Sequence, residues 1–202
     1  MKKCLIVGRP NAGKTLFMIN FAEYVGLKHL EIKFLGKDKS LDYQRYTIEE
    51  AREILSSDIP YKTNCLQSIE IKIPVLKGKK TLSLMDSSGL IDGIHKNIQI
   101  RRAMAQTLGA ITESNMILHM IDASQIDEKN IKNSIGEVDY QLAQYGLIKE
   151  GYMILANKVD LLERKTPIIQ LQKEFPDHYI VPLSAQTREG FGEVRSFVCR
   201  RL

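Results

Sequence analysis

The chain has 202 residues, 44% of them hydrophobic and 26% charged, with 29 Lys and Arg against 24 Asp and Glu for a net charge of +5. That is the size of one ordinary domain, about 100–200 residues, and the composition of a chain that folds, which excludes disordered, collagen-like and coiled-coil readings. No apolar run approaches the ~18 residues of a membrane span, the opening Met1-Lys2-Lys3-Cys4-Leu5-Ile6-Val7-Gly8 turns polar too soon for a secretory leader, and Cys4, Cys65 and Cys199 suit neither a disulfide framework nor a zinc site. The expectation is one cytoplasmic domain over residues 1–202 with reduced thiols, Cys4 lying in a buried strand. The mild positive excess suits a polyanionic partner and ordinary solubility equally well.

Leu5-Ile6-Val7 is a short apolar run ending in Gly8, and residues 15–25 carry apolar side chains at helical spacing (Leu16, Phe17, Ile19, Phe21, Val25), so the chain opens strand, loop, helix. Residues 28–61 read as polar and irregular, except that Thr47-Ile48-Glu49-Glu50 resembles a capping box opening a short helix to about Ser57, stopped by Pro60. Ile69, Ile71 and Ile73 alternate with Glu70 and Lys72 before Lys77-Gly78-Lys79 turns the chain into Leu82-Ser83-Leu84-Met85-Asp86, which predicts a β-hairpin. A Ser/Gly loop, a helix between residues 95 and 113, and an apolar strand over 116–121 follow. The series closes with a helix within 127–145, a strand over 152–156, a helix near 167–175, a strand over 179–182, and a last helix from Phe191 to about Arg201. Strands separated by helices imply right-handed crossovers and a mostly parallel sheet covered on both faces.

Gly8-Arg9-Pro10-Asn11-Ala12-Gly13-Lys14-Thr15 satisfies the phosphate-loop pattern, after a strand and at a helix N-terminus, where the chemistry needs it. Gly8 and Gly13 let the backbone bend so that successive N–H groups, Ala12 included, converge on phosphate oxygens, with the helix dipole adding to the attraction. Lys14 supplies a point charge for β- and γ-phosphates, and the Thr15 hydroxyl is placed to ligate Mg²⁺. Three further segments follow in order: Asp86-Ser87-Ser88-Gly89, Asn157-Lys158-Val159-Asp160 and Ser184-Ala185-Gln186. Each comes after an apolar strand, at the carboxyl edge where open α/β sheets bind ligands.

With these segments the sequence resembles a translation-factor-class (TRAFAC) P-loop GTPase over essentially its whole length. The resemblance implies a Ras-like P-loop NTPase fold of the α/β class: a mostly parallel six-stranded sheet with one antiparallel strand and helices on both faces. It implies GTP or GDP as ligand and Mg²⁺ as cofactor, with Asp86 facing the metal and the Gly89 N–H sensing the γ-phosphate. In such proteins an Asp placed like Asp160 accepts two hydrogen bonds from guanine that adenine cannot offer. Lys158 would lie across the base, Asn157 would tie this segment to the phosphate loop, and the Ala185 N–H would donate to guanine O6, with Ser184 and Gln186 beside it. Thr63 is the candidate switch threonine for the Mg²⁺ shell, with Thr47 as rival, although Thr47 suits a helix cap.

Within that class the Pro10-Asn11 pair, and Leu90 where Ras-type enzymes carry a water-orienting Gln, look like the Era, tRNA-modification and ferrous-iron-transporter group. There the resemblance makes Asn11 a ligand for a potassium ion, which would act with Lys14, Thr63 and Gly89 in hydrolysis; its plain alternative is a hydrogen bond that stabilises the loop. Arg101 and Arg102 would add charge near the switch or simply be solvated. Leu16 where a second Thr is common, a long first switch, and little chain beyond the last helix depart from the group, leaving a stand-alone switch domain or one part of something larger. The resemblance implies an effector or activator and admits a homodimer through the switch loops. A ribosome or RNA partner is also admitted, without any interleaving of aromatic and basic residues to mark an RNA platform. A non-catalytic GTP-binding module is the alternative to an enzyme. His119, inside an apolar strand, is expected to be a hydrogen-bonded core residue, not a metal ligand.

Overall fold

Strand β1 (Lys2–Val7) sends Cys4 and Ile6 to one side and Leu5 and Val7 to the other, and none of the four keeps exposed surface. A strand buried on both faces reads as a continuous apolar run, which is why Leu5-Ile6-Val7 stands out in the sequence. The computed structural model describes residues 1–36, 40–56, 65–75, 78–127 and 129–202. Along them the chain forms α1 (Lys14–Tyr24), β2 (His29–Leu35), β3 (Leu41–Thr47), α2 (Ile48–Leu55), β4 (Leu66–Val75), β5 (Gly78–Asp86), α3 (Ile98–Glu113) and β6 (Met116–Asp122). Then come α4 (Ile131–Ser134), α5 (Glu137–Ile148), β7 (Tyr152–Asn157), α6 (Thr166–Glu174), β8 (Ile180–Pro182) and α7 (Phe191–Arg201). Among the described residues no helix is long and apolar enough to cross a membrane.

One sheet runs through the molecule in the order β3-β2-β4-β5-β1-β6-β7-β8. β5, β1, β6, β7 and β8 are parallel. β4 runs antiparallel to β5, β2 to β4, and β3 to β2. The sheet is thus the expected mostly parallel, two-sided α/β sheet, with two corrections: it has eight strands, not six, and both β4 and β3 oppose the main direction. The additional pair falls in residues 28–61, read from sequence as irregular. Leu30, Ile32 and Phe34 alternate with His29, Glu31 and Lys33 in β2, whereas β3 is an edge strand exposed over Leu41 to Arg45 and offers no apolar pattern.

Cys4, Ile6, Ile69, Ile71 and Leu84 pack with α1, α2 and α7 on one face of the sheet, where the Phe17, Phe21 and Phe191 rings meet at centroid distances of 5.1 to 5.8 Å. Each fully buried ring contributes on the order of 1.5–3 kcal/mol. Leu5, Val7, Ile117 and Ile154 pack with α3, α5 and α6 on the other face.

Thr47 caps α2 in the expected capping box, its hydroxyl accepting from Glu50 N at 3.2 Å while Glu50 Oε2 accepts from Thr47 N at 2.8 Å. That helix ends at Leu55, while Ser57, Pro60 and Lys77 of the expected stops and turns lie outside the described residues. The helix expected within 127–145 is split into α4 and α5, because Ile135 is extended and Asp139 caps a fresh start through the Gly136 N–H. His119 is the core residue expected: fully buried, with Nδ1 2.6 Å from the Tyr152 hydroxyl and Nε2 2.9 Å from Asp139 Oδ1, it ties α5 to β6 and β7.

Candidate nucleotide site

The chain reverses its course across the sheet at β1, visiting β5 on one side and β6 on the other, which opens a crevice at the carboxyl ends of the parallel strands. The loop after β1 lies there. Gly13, at φ 95°, starts α1 so close to Asn157 that a Cβ would come within 2.3 Å of its Nδ2. Only glycine combines that conformation with that approach. Lys14 is buried with it, its ammonium donating to Arg9 O at 2.8 Å and Gly8 O at 3.2 Å, so the loop's own carbonyls hold the lysine inside the bend. Asn11 has a positive φ of 60° and contributes to the same bend.

Beside Lys14, the Thr15 hydroxyl donates to Asp86 Oδ2 at 2.7 Å, joining the first turn of α1 to the end of β5. Asp86 is fully buried, and its Oδ1 has no hydrogen-bond partner among the described residues. Burial pushes the Asp86 carboxyl up to about 6 against the opposing pull of Lys14, the Thr15 hydroxyl and the Ser87 N–H. Burial likewise pushes Lys14 down to about 8, with Asp86 and Asp139 opposing it. Both groups are therefore held in less polar surroundings than their charges prefer, the condition under which an added ion or anion gains most.

The second loop folds back on the first. Leu90 N donates to Gly8 O at 3.1 Å, and Gly89 lies against Pro10 so tightly that a Cβ would meet Pro10 N at 2.5 Å. Ser87 Oγ donates to Ile6 O at 2.7 Å, and Ser88 Oγ lies 3.1 Å from Thr107 Oγ1 of α3. Leu90 itself is buried.

On the other side of the crevice, Asn157 at the end of β7 donates from Nδ2 to Ala12 O at 2.7 Å and accepts from Ala185 N at 2.8 Å. One carboxamide thus joins the loops after β1, β7 and β8. The Ala185 N–H, expected to face a purine oxygen, is engaged here by Asn157. Lys158, at φ 67°, pairs its ammonium with Asp122 Oδ2 at 2.7 Å, and Asp160 stands exposed in the following 3-10 turn (Val159–Leu161). Ser184 Oγ accepts from Gln186 N at 3.2 Å and Thr187 N at 2.9 Å, shaping the Ser184-Ala185-Gln186 turn.

The structure therefore brings Gly8, Asn11, Ala12, Gly13, Lys14, Thr15, Asp86, Gly89, Asn157, Lys158, Asp160, Ser184, Ala185 and Gln186 to one edge of the sheet. Thr63 lies outside the described residues. Arg101 is spent on the carbonyls of His95 and Lys96, both at 3.0 Å, and Arg102 is exposed. Sequence reasoning missed Asp122, although it ends β6 as Asp86 ends β5. It also missed Asn20, a buried helical asparagine whose Nδ2 donates to Ala185 O at 2.7 Å, and Asp92, whose Oδ1 accepts from Val138 N at 2.7 Å and fastens the second loop to α5.

A phosphate loop between strand and helix, an aspartate closing the neighbouring strand and an Asn-Lys-x-Asp turn on the same edge define the P-loop nucleotide-binding class. Within it, residues 39–158 match the family model described as 50S ribosome-binding GTPase, and the chain belongs to that family, as a TRAFAC P-loop GTPase. The chain is 24% identical over 199 residues to a GTPase Obg of Desulforapulum autotrophicum, covering 98% of this chain and 48% of that relative, so it spans about half the length of the curated protein it matches. A structure of Era in complex with MgGDPNP and a 16S ribosomal RNA segment superposes with a TM-score of 0.69 at 18% identity, over 100% of this chain and 56% of that one. The G domain of the T. maritima FeoB iron transporter gives a TM-score of 0.57 at 18% identity, over 100% of this chain and 98% of that chain.

Proposed function

We propose that this chain binds GTP, hydrolyses it to GDP and phosphate, and acts as a nucleotide-dependent switch. The observation that carries the reading is the double hydrogen bond of Asn157 to Ala12 O and Ala185 N, which sets the phosphate loop and the base-reading segments around one crevice. The Gly8-to-Thr15 loop and Lys14 would hold the β- and γ-phosphates. Asp160 would read the guanine edge, with Lys158, Ser184, Ala185 and Gln186 lining the base. The unpartnered Asp86 Oδ1 and the Thr15 hydroxyl fit a hard cation that takes oxygen ligands. Thr15, Asp86 and Thr63 would hold Mg²⁺, which supplies charge neutralisation at the phosphate oxygens.

Hydrolysis is attack of water on the γ-phosphorus with departure of GDP, and the chain's contribution is positioning and charge. Lys14 stabilises the charge developing on the transferred group, and the Gly89 N–H meets the γ-phosphate from the second loop. Leu90 has no group to orient water and is buried, so turnover of the chain alone is slow. Asn11 as a potassium ligand would raise it. Comparing single-turnover rates in potassium and sodium chloride at equal ionic strength tests this; equal rates remove the ion, and no cleavage in either leaves a GTP-binding module without catalysis. An RNA or ribosomal partner is supported by the family description and the Era likeness, and salt-dependent RNA binding is its measurable signature.

Affinities for GTP, GDP and ATP test the central claim. The wild type is expected to prefer guanine nucleotides, and Asp160→Asn to lose about 1.5–3 kcal/mol of that preference, the scale of a hydrogen bond to a charged group. Equal binding of ATP by the wild type would overturn the assignment.

A further inference from the structure

Strand β4 presents Gln67, Ile69, Ile71 and Ile73 to the face covered by α1, α2 and α7, while Leu66, Ser68 and Glu70 face the other way. Three isoleucines are what a core face requires. The glutamine is not. Gln67 keeps only 5% of its surface exposed, and its Oε1 has no hydrogen-bond partner among the described residues. Leaving a buried carboxamide oxygen unsatisfied costs about 1–3 kcal/mol, a loss that a fourth apolar residue would avoid.

The register explains the position. In the antiparallel β4–β5 ladder, Gln67 stands directly opposite Asp86, and residues directly opposite share a face. Two side chains that each carry a buried acceptor oxygen without a partner, Gln67 with Oε1 and Asp86 with Oδ1, therefore stand opposite one another on one face of the sheet, the face on which the Thr15 hydroxyl meets Asp86 Oδ2. Among the described donors, Lys14 Nζ gives two of its three N–H groups to Gly8 O and Arg9 O, Thr15 Oγ1 gives its own to Asp86 Oδ2, and none is paired with either of these oxygens. A carboxamide, a carboxylate and a hydroxyl form an all-oxygen set of the kind hard divalent cations and their bound waters take.

We propose that Gln67 is a positioning residue of the divalent-cation site, its carboxamide oxygen acting beside Asp86 as an acceptor for water bound to the ion. This rests on the GTP reading above and adds to it a residue that neither the phosphate-loop pattern nor the segment after β5 contains. Gln67 holds the hydration shell in orientation, and removing it weakens the ion without touching the phosphate loop or the base-reading segments.

The test is the rate of release of a fluorescent GDP analogue from the full chain, followed as free Mg²⁺ is lowered with chelator, for wild type, Gln67→Leu and Gln67→Glu. Gln67→Leu is expected to move the Mg²⁺ midpoint upward by about tenfold, the usual cost of losing an outer-shell partner, while leaving the metal-free release rate as in the wild type. Gln67→Glu, which restores an acceptor oxygen, is expected to bring the midpoint back to the wild-type value or below it. An unchanged midpoint in Gln67→Leu overturns the proposal, and so does a Gln67→Leu variant whose metal-free rate rises as much as its metal-bound rate, since that marks general damage to the site. Failure of the wild type to bind the analogue at all would refute the GTP reading instead.

Discussion

Gly89 shows how much of this site is decided by single atoms. Its Cα packs on Pro10, with room for hydrogen and none for a methyl group, and the adjoining Leu90 N–H reaches Gly8 O. Gly89→Ala must therefore separate the second loop from the phosphate loop. Faster amide exchange at Leu90 and proteolytic cutting nearby are expected in the variant, with thermal stability reduced by about 1–3 kcal/mol, the scale of strain from overpacking; an exchange rate at Leu90 equal to wild type would contradict the packing argument. Much of the site is legible in the chain because its chemistry is written in contiguous runs: the eight residues from Gly8, the four from Asp86 and the four from Asn157. Gln67, Asn20, Asp92 and Asp122 are single polar residues within otherwise ordinary segments. Their meaning comes from register and burial, which spacing along the chain does not encode.

At the scale of elements, the short helix α2 does more than fill a connection. Its Arg52 donates from Nε to Asn20 Oδ1 at 2.7 Å and pairs with Glu23 of α1, while Asn20 Nδ2 holds Ala185 O. The path runs from the last turn of α2, through α1, to the turn after β8. Thr47→Ala removes the cap hydroxyl and is expected to cost about 1 kcal/mol in urea denaturation, with Thr47→Ser restoring most of it. Equal stabilities for the Ala and Ser variants would mean that the box adds nothing. The capping box is readable because it is local. β3 is not, because an edge strand with one hydrogen-bonded neighbour needs little apolar surface, and Leu41-Asp42-Tyr43-Gln44-Arg45 carries a mixed pattern.

The whole molecule is organised around β1, which lies between β5 and β6; the alternation of strands and helices in the second half of the chain predicts the parallel sheet but does not encode this strand order. A ligand that binds only the folded crevice stabilises the fold by mass action, by about 2.7 kcal/mol at a hundred times its Kd, which for a chain of this size corresponds to about 5–10 °C in Tm. GDP with Mg²⁺ is expected to produce such a shift and ATP with Mg²⁺ to produce none. A comparable shift with ATP would count against a base-selective site. The Asn157 carboxamide adds a thermodynamic consequence. Because the same side chain fastens Ala12 on one flank and Ala185 on the other, ordering either flank lowers the entropic cost of ordering its counterpart. Linkage makes that coupling reciprocal: whatever factor an occupant of the anion cradle adds to purine affinity, a purine must return to the anion.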